Sequence, residues 1–230
     1  MTLDEIDSIL VIPQEDKATS IKTVEARFIY DFIRQKGLKT TLETGFAYAK
    51  SASHIIAATQ SEHIAIDPFQ AHYQNIGLKN IESLKFEKFL VFHNDYSHNV
   101  LPKLVAEKRQ FEFIFIDGDH KFDGEFVDFY YADLLLKQGG YILMHDTWMR
   151  STQLVVSFIK SNRKDYKYIK TSLRNIALFQ KTGEDSRNGM FFKEFYTFKR
   201  LILHNVIMWL TTGKSNLLKR TVFWIKEKLK

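Results

Sequence analysis

The sequence predicts an α/β fold in which a seven-stranded, mostly parallel sheet carries helices on both faces. Short apolar runs alternate with longer segments of helical periodicity through most of the chain. Two more apolar runs, at 166–171 and 174–181, follow one another without room for a helix between them. Alternating strands and helices are typical of a parallel sheet, and closely spaced strands are typical of an antiparallel pair. We therefore expect five parallel strands and an antiparallel terminal pair.

The individual elements follow from apolar periodicity. A first helix is predicted over 20–36, because Phe28 and Phe32 recur at helical spacing and Thr19 or Ser20 can cap it. The five parallel strands are predicted at 40–44, 64–67, 89–94, 111–117 and 141–146. Helices are predicted between and after them, at 50–60, 70–83, 98–108, 123–137 and 151–163.

Composition excludes several classes of protein. Hydrophobic residues make up 45% of the 230 residues and charged residues 26%, which argues against a disordered, collagen-like or multi-span membrane protein. The chain has no cysteine, so it has no disulfide, no thiolate metal site and no cysteine nucleophile. Its acidic start, MTLDEIDSIL, lacks the apolar core of a secretory signal. We expect a cytoplasmic protein.

The positive charge is concentrated at the C-terminal end. Residues 183–230 hold 10 of the 33 basic and 4 of the 27 acidic side chains, so the whole net charge of +6 belongs to them. Residues 1–182 are neutral overall, with 23 of each sign. This change predicts a main domain over 1–182, with an N-terminal segment at 1–19, and a basic, aromatic-rich helical tail over 183–230.

Three functions remain open for the tail. Its helices could pack on the domain or on the partner in a homodimer. Alternatively, residues 190–230 could lie on a membrane surface at the inner face, with basic side chains on anionic headgroups and aromatic side chains at the boundary. Basic and aromatic residues also suit single-stranded nucleic acid, but the neutral main domain argues against such a partner.

Proteins with an open parallel sheet bind their ligands at the carboxyl ends of the strands, near the point where strand order reverses. All five predicted strand ends carry a carboxylate, and two of them add a histidine. These strand ends are Glu43-Thr44-Gly45, Asp67-Pro68, Asn94-Asp95, Asp117-Gly118-Asp119-His120 and His145-Asp146-Thr147. Such a series predicts a binding site at one edge of the sheet.

The first two strand ends suit a nucleoside ligand. Gly45 lets a ligand approach the backbone just before a helix, whose N-terminus favours a carboxylate or phosphate. Asp67 follows about twenty residues later, the usual place for an acid that holds ribose hydroxyls. The alternatives are an ordinary strand-to-helix turn and an Asp that caps the helix after Pro68.

The fourth and fifth strand ends concentrate acids. Asp117, Asp119 and His120 follow the buried strand FEFIFI, and Asp146 ends the next strand. If those strands are neighbours, Asp117 and Asp146 lie side by side and repel unless a proton or a cation intervenes. Carboxylate oxygens suit a hard ion such as Mg²⁺. The alternative is structural, with Asp119 capping the next helix and His120 bonded to a neighbour.

Taken together, the motifs resemble those of class I S-adenosylmethionine (SAM)-dependent methyltransferases. Within them the chain resembles the group called methyltransferase domain 24, which is related to the catechol O-methyltransferase branch. The matching stretches are LETGFAYAKSASHI, HIAIDPFQ, FHNDYSHNVLPKL, FIFIDGDHKFDG and GGYILMHDT, in the family's order. The resemblance covers about residues 20–182 and implies a Rossmann-like fold.

The resemblance also implies the site residues. Glu43 and Gly45 would contact the amino-acid part of SAM, with Ser51 at the following helix start. Asp67 would hold the ribose, Asp95 and Ser97 would lie by the adenine, and Asp117 would lie where cofactor and substrate meet. In metal-using relatives the ligand positions match Asp117, Asp146 and Thr147, although an amide side chain is usual at the third.

The expected reaction is O-methylation of a hydroxyl on a small molecule or sugar. His120 falls where a base could take the hydroxyl proton, and histidine titrates near neutral pH. A divalent ion on Asp117 and Asp146 is the second route. The acceptor would meet the loops 1–19, 147–152 and 183–192.

Two positions depart from the family pattern. Alanines stand at Ala47 and Ala49, where methyltransferases commonly have glycine. We expect Ala49 to take a negative φ or to strain the turn. The alternative functions are therefore a non-catalytic SAM-binding protein and a differently reacting enzyme of the same fold, such as a hydroxylase-like one. The absence of G-x-G-x-x-G argues against nicotinamide.

Overall fold

The computed structural model of the protein describes residues 1–17 and 20–188, together with the helical positions 203, 206, 207 and 210. Within 1–188 its helices are α1 (Leu3–Ile9), α2 (Thr23–Lys36), α3 (Lys50–Thr59), α4 (Ile76–Ser83), α5 (Ser97–Ala106), α6 (Phe122–Leu135) and α7 (Arg150–Asn162). Its strands are β1 (Thr41–Thr44), β2 (His63–Ile66), β3 (Leu90–His93), β4 (Phe111–Ile116), β5 (Leu136–Met144), β6 (Tyr166–Ile169) and β7 (Ala177–Lys181).

The strands form one seven-stranded sheet in the order β3-β2-β1-β4-β5-β7-β6. The first five are parallel, β7 is antiparallel to β5, and β6 is antiparallel to β7. The predicted Rossmann-like sheet with its antiparallel edge is thus confirmed. Strand order reverses between β1 and β4, so the carboxyl ends of these two strands flank a crevice.

The core lies on both faces of the sheet. Along β4 the side chains alternate: Ile114 joins the cluster under α5, α6 and α7, whereas Phe113 and Phe115 join the cluster under α2 and α3. All three are fully buried. Burial of one such side chain contributes roughly 2–3 kcal/mol, which explains why the sheet can hold polar residues at its edge.

The N-terminal segment, expected to contribute to the acceptor site, contains a packed helix, α1. Thr2 and Glu5 form a capping box at the start of α1. On its inner side Ile6 is fully buried in a cluster with Phe46, Ala49 and Ile56. The predicted helix 20–36 begins at Thr23 and is capped through the backbone of Lys22. Thr19 lies outside the described residues.

The chain leaves the domain at the edge opposite the crevice. Thr182 N–H donates to the Asp165 carbonyl (2.7 Å) at the far end of β7. The predicted tail lies outside the described residues after Asn188, apart from four helical positions. Among the residues that the structure describes, no helix is both long and apolar enough to cross a membrane.

Candidate active site

Two backbone turns meet at the crevice between β1 and β4. Gly45, which follows β1, has φ +85°, and a Cβ placed on it would lie 2.1 Å from the Asp117 carbonyl oxygen. An L-residue is therefore excluded both by its backbone conformation and by the contact. Glycine at this position lets the turn after β1 touch the turn after β4, and this closes the floor of the crevice.

The turn after β1, residues 45–49, is here called the cofactor turn. Asp67, at the end of β2, accepts the backbone N–H groups of Phe46 (2.9 Å) and Ala47 (2.8 Å) through one oxygen. Its other oxygen accepts the N–H of Phe69 (2.7 Å). The alternative that Asp67 caps a helix is wrong, because α4 begins only at Ile76 and its N-cap is Asn75. A carboxylate has about four acceptor sites, so the ribose role of Asp67 stays a prediction.

Both alanines of the cofactor turn adopt left-handed backbone conformations. The φ angle is +42° at Ala47 and +60° at Ala49. Of the two expectations for Ala49, strain is therefore what the structure shows, and a negative φ is wrong. A left-handed conformation costs a non-glycine residue roughly 1–2 kcal/mol, so other contacts must hold this turn in place.

Glu43 lies beneath the cofactor turn. Its side chain is fully buried and its carboxylate lies 3.4 Å from Nε2 of His63, whose Nδ1 is hydrogen-bonded to Thr41 (2.9 Å). Burial raises the pKa of Glu43, and the nearby His63 and Ser51 oppose that rise. Ser51 is itself almost completely buried at the start of α3. The contact of Glu43 and Ser51 with SAM stays a prediction.

The residues after β3 form the next part of the crevice. Asp95 accepts hydrogen bonds from Asn99 Nδ2 (2.9 Å) and Tyr96 N–H (2.7 Å), and these bonds lower its pKa. Asp95 lies directly before α5, whose N-cap is Tyr96 and which begins at Ser97. Sequence analysis missed the exposed rings of Tyr96 and Phe69, whose centroids lie 6.0 Å apart. Their place directly after two strand ends was the available signal.

A buried histidine joins three acids behind the crevice. His145 Nδ1 lies 3.0 Å from Asp117 Oδ1 and 3.3 Å from Asp146, and Nε2 lies 3.1 Å from Glu25 on α2. Burial disfavours the imidazolium, but the hydrogen bonds to Asp117 and Glu25 outweigh burial and raise the pKa of His145 to about 10. His145 was expected at a strand end, but its contact with Glu25 was not predicted, because 120 residues separate the two.

His120 stands at the open side of this group. Its Nε2 lies 3.5 Å from Asp146 Oδ2, and its side chain is 42% exposed, so an acceptor can reach it. Ligand atoms of Asp117, His120 and Asp146 all lie within 4.8 Å of one another. The Thr147 hydroxyl donates to the Arg174 carbonyl (2.7 Å) and keeps its lone pairs, so its role as a ligand stays a prediction. Two carboxylates and one imidazole fit a divalent cation.

Two more acids, Glu125 and Asp128, lie on α6 behind the crevice, and neither was predicted from the sequence. Burial raises the pKa of Glu125 to about 7 and that of Asp128 to about 6. Hydroxyls of Thr152 and Ser97 lie beside them. Among the described residues, however, neither oxygen of Asp128 has a well-formed hydrogen bond. This edge of the sheet therefore holds buried carboxyl groups whose charged form is disfavoured by burial.

Comparison with known proteins agrees with the geometry. Residues 42–147 match the model of a family described as a methyltransferase domain. No curated protein sequence matches the chain. The fold is similar to an O-methyltransferase from Bacillus cereus in complex with S-adenosylhomocysteine (SAH), at 16% identity and a TM-score of 0.65, covering 78% of this chain and 90% of that one.

Two other solved structures are similar to the same extent. One is the O-methyltransferase TomG from Streptomyces achromogenes, involved in tomaymycin synthesis and in complex with SAM: 14% identity, TM-score 0.64, 77% of this chain and 89% of that one. Another is a putative caffeoyl-CoA O-methyltransferase from Staphylococcus aureus, at 14% identity and a TM-score of 0.64, covering 80% of this chain and 93% of that one. Residues 42–147 thus form a methyltransferase domain, and the sheet order is that of a Rossmann-like methyltransferase fold.

Proposed function

We propose that this methyltransferase methylates a hydroxyl group of a small molecule or sugar. The observation that carries the proposal is the half-exposed imidazole of His120, held beside Asp146 at the crevice. An imidazole in this place can accept the proton of a hydroxyl that attacks a methyl group. The names of the similar structures, which are O-methyltransferases, support the same chemistry.

SAM supplies a methyl group that is already activated on a sulfonium. The residues of this chain would bind it, with Gly45 and Ser51 at the amino-acid end, Asp67 at the ribose, and Asp95 with Ser97 near the adenine. Buried acids around Asp117 favour a cationic group at this edge of the sheet. The acceptor oxygen forms its bond to the methyl carbon as the carbon–sulfur bond breaks, and the hydroxyl proton passes to His120.

A divalent ion such as Mg²⁺ is a second way to activate the hydroxyl. Asp117, His120 and Asp146 would hold it, and it would lower the pKa of a bound hydroxyl. His120 cannot be a metal ligand and the free base in the same turnover. Full activity in excess chelator supports the base, whereas activity that chelator removes and Mg²⁺ restores supports the metal.

The experiment that tests the proposal is a transfer assay with methyl-labelled SAM and fractionated cell extract. We expect label in a product whose new methyl group is an ether, identified by mass spectrometry. Label on nitrogen or carbon would contradict O-methylation. SAM binding without transfer to any fraction would favour the alternative of a non-catalytic SAM-binding protein, and a consumed co-substrate would favour a hydroxylase-like enzyme.

We also propose that the tail attaches this protein to an anionic membrane surface from the cytoplasm. The helical positions Leu203, Val206 and Leu210, three and four residues apart, all carry side chains that are 44–69% exposed. The tail sequence around them has the basic excess that anionic headgroups attract. A homodimer joined through the same side chains is the competing proposal.

Flotation of the full chain with phosphatidylserine vesicles separates these two proposals. Replacing Leu203, Val206 and Leu210 by glutamate should abolish flotation, and Tyr130→Glu on the exposed face of α6 is the control. Equal flotation of both variants would contradict the membrane proposal. A triple variant that converts a dimer into a monomer in size-exclusion chromatography would favour the dimer.

A further inference from the structure

We propose that Asn80 is a positioning residue that holds the cofactor turn in its SAM-binding shape by tying it to the N-terminal segment. The proposal rests on the cofactor site described above. It concerns residues that have no place in the family motifs quoted from the sequence: Asn80 lies on α4, and its partner Val11 lies after α1.

Asn80 makes three hydrogen bonds and is only 2% exposed. Its Oδ1 accepts the N–H of Val11 (2.9 Å), and its Nδ2 donates to the Val11 carbonyl (2.9 Å). The second proton of Nδ2 goes to the carbonyl of Tyr48 in the cofactor turn (2.9 Å). Because the amide pairs reciprocally with the Val11 peptide, its orientation is determined, and one proton necessarily points at Tyr48.

The cofactor turn needs such support. Tyr48 stands between Ala47 and Ala49, whose φ angles are both positive, so without external contacts the alanines would favour another conformation. Glycines would adopt this conformation without cost. The turn is held at Ala47 as well, because Gln70 Nε2 donates to its carbonyl (2.6 Å). Contacts from outside thus replace the conformational freedom that glycine would give.

The N-terminal segment is a firm support for Asn80 because the domain fixes it independently. Arg27 on α2 donates to Asp7 on α1 (2.8 and 3.1 Å). Further along, the hydroxyl of Tyr48 donates to Asp16. The segment therefore holds the cofactor turn at both the backbone and the side chain of Tyr48, and through this turn it affects SAM affinity.

The test is calorimetric titration of the full chain with SAH. Asn80→Ala should weaken SAH binding about tenfold, which corresponds to about 1.4 kcal/mol, because the Tyr48 carbonyl loses its donor and the turn relaxes. The control is Asn162→Ala. This asparagine is also buried, and it bonds the Phe158 carbonyl (3.2 Å) at the end of α7 distant from the crevice. We expect lower stability but unchanged SAH affinity.

A second substitution separates positioning from general destabilisation. Glycine accepts a positive φ, so Ala49→Gly in the Asn80→Ala background should restore most of the lost SAH affinity. The proposal is supported if Ala49→Gly raises SAH affinity in the Asn80→Ala background but not in the wild type. Wild-type affinity in Asn80→Ala, or a loss that Ala49→Gly does not restore, would overturn it. If the wild type itself fails to bind SAH, the cofactor site is contradicted and this proposal with it.

Discussion

Both edges of the sheet carry clusters of buried charged groups, and only one of them has the properties of an active site. The lower cluster, at the edge where the tail leaves, consists of Asp133, Arg163, Asp165, Tyr166 and Lys181. The upper cluster, at the crevice, consists of Glu25, Asp117, His120, His145 and Asp146. Both contain acids and bases in close contact, so the presence of charge alone does not distinguish them.

The positive and negative charges of the lower cluster balance one another. Arg163 donates to Asp133 (2.8 Å) and to both oxygens of Asp165 (2.9 and 2.6 Å). The Tyr166 hydroxyl also donates to Asp133 (2.8 Å), and Lys181 donates to the Asp133 carbonyl (2.8 Å). A cavity of about 400 Å³ opens beside these residues. Two positive charges face two negative ones, so nothing in this group requires a ligand.

The upper cluster has an excess of acid. Among the residues that the structure describes, the buried imidazolium of His145 is paired with three acids, Glu25, Asp117 and Asp146. The buried acids Glu125 and Asp128 lie nearby on α6. Unpaired buried acids destabilise a fold, so a structural cluster would not keep them. The comparison teaches that incomplete neutralisation, rather than charge, marks the edge at which a cationic cofactor or a metal ion would bind.

The largest expected effect is that of Gly45→Ala. The added Cβ would have to displace the Asp117 carbonyl, and the fold should lose roughly 4 kcal/mol or more. Gly139→Ala is a matched control, because Gly139 has the same φ of +85° with nothing within 4 Å, and it should cost about 1 kcal/mol. Denaturant unfolding measures both. Equal losses would contradict the close contact of the two turns.

His120→Ala should lower kcat by about 100-fold or more while leaving SAH affinity within a factor of three, because loss of a general base affects the chemical step. The measurement is the transfer assay together with SAH titration. His72→Ala, at another exposed histidine, is the control and should leave kcat unchanged. Equal losses of turnover and of affinity in His120→Ala would assign His120 to binding instead.

Glu125→Gln should change how stability depends on pH. Burial raises the pKa of Glu125 from 4.5 to about 7, so the folded protein binds the proton more tightly and stability falls as pH rises through this window. The neutral amide removes this loss. The variant should match the wild type at pH 4.5 and exceed its unfolding free energy by up to about 3 kcal/mol at pH 8.

The matched control for that experiment is Glu82→Gln on the exposed side of α4. Denaturant unfolding at the two pH values should show the same pH dependence for this variant and for the wild type. If Glu125→Gln also follows the wild type, Glu125 is not a source of the excess acid in the upper cluster, and the contrast with the lower cluster weakens.

The smallest effect concerns Ala47. Ala47→Gly should raise the unfolding free energy by about 1 kcal/mol, because glycine adopts a positive φ without strain. Ala57→Gly inside α3 is the opposite case and should lower it by about 1 kcal/mol, since glycine is unfavourable in a helix. Thermal or denaturant unfolding measures both the expected increase and the expected decrease in unfolding free energy. A loss of stability in Ala47→Gly would mean that contacts of its methyl group outweigh the strain.

The alternation of strands and helices, and the residues that follow each strand, could be predicted from the sequence, because both depend on local periodicity. FEFIFI had to be a buried strand, and the acids after it had to lie at its carboxyl end. The contact of His145 with Glu25 could not be predicted, because it joins residues 120 positions apart. The expectation for Thr147 rested on a motif position, and only the structure shows its hydroxyl bonded to Arg174.

The hydrogen bonds of Asn80 to Val11 and Tyr48 could not be predicted either, because these residues are far apart in the sequence. An asparagine on an amphipathic helix gives no signal of its three partners, which come from two distant segments. Similarly, the buried acids Glu125 and Asp128 belong to a helix whose sequence does not reveal which side chains face the sheet. Sequence patterns report the periodicity of elements, whereas these residues are defined by packing between elements.

The most direct test of the account is amide hydrogen exchange of the full chain with and without SAH. The account predicts that SAH protects the upper edge, in the segments 45–51, 95–98 and 117–120. It also predicts that exchange around Asp133, Arg163 and Lys181 does not change. Protection confined to the lower edge, or none at either edge when SAH is saturating, would contradict the assignment of the acid-rich crevice as the cofactor site.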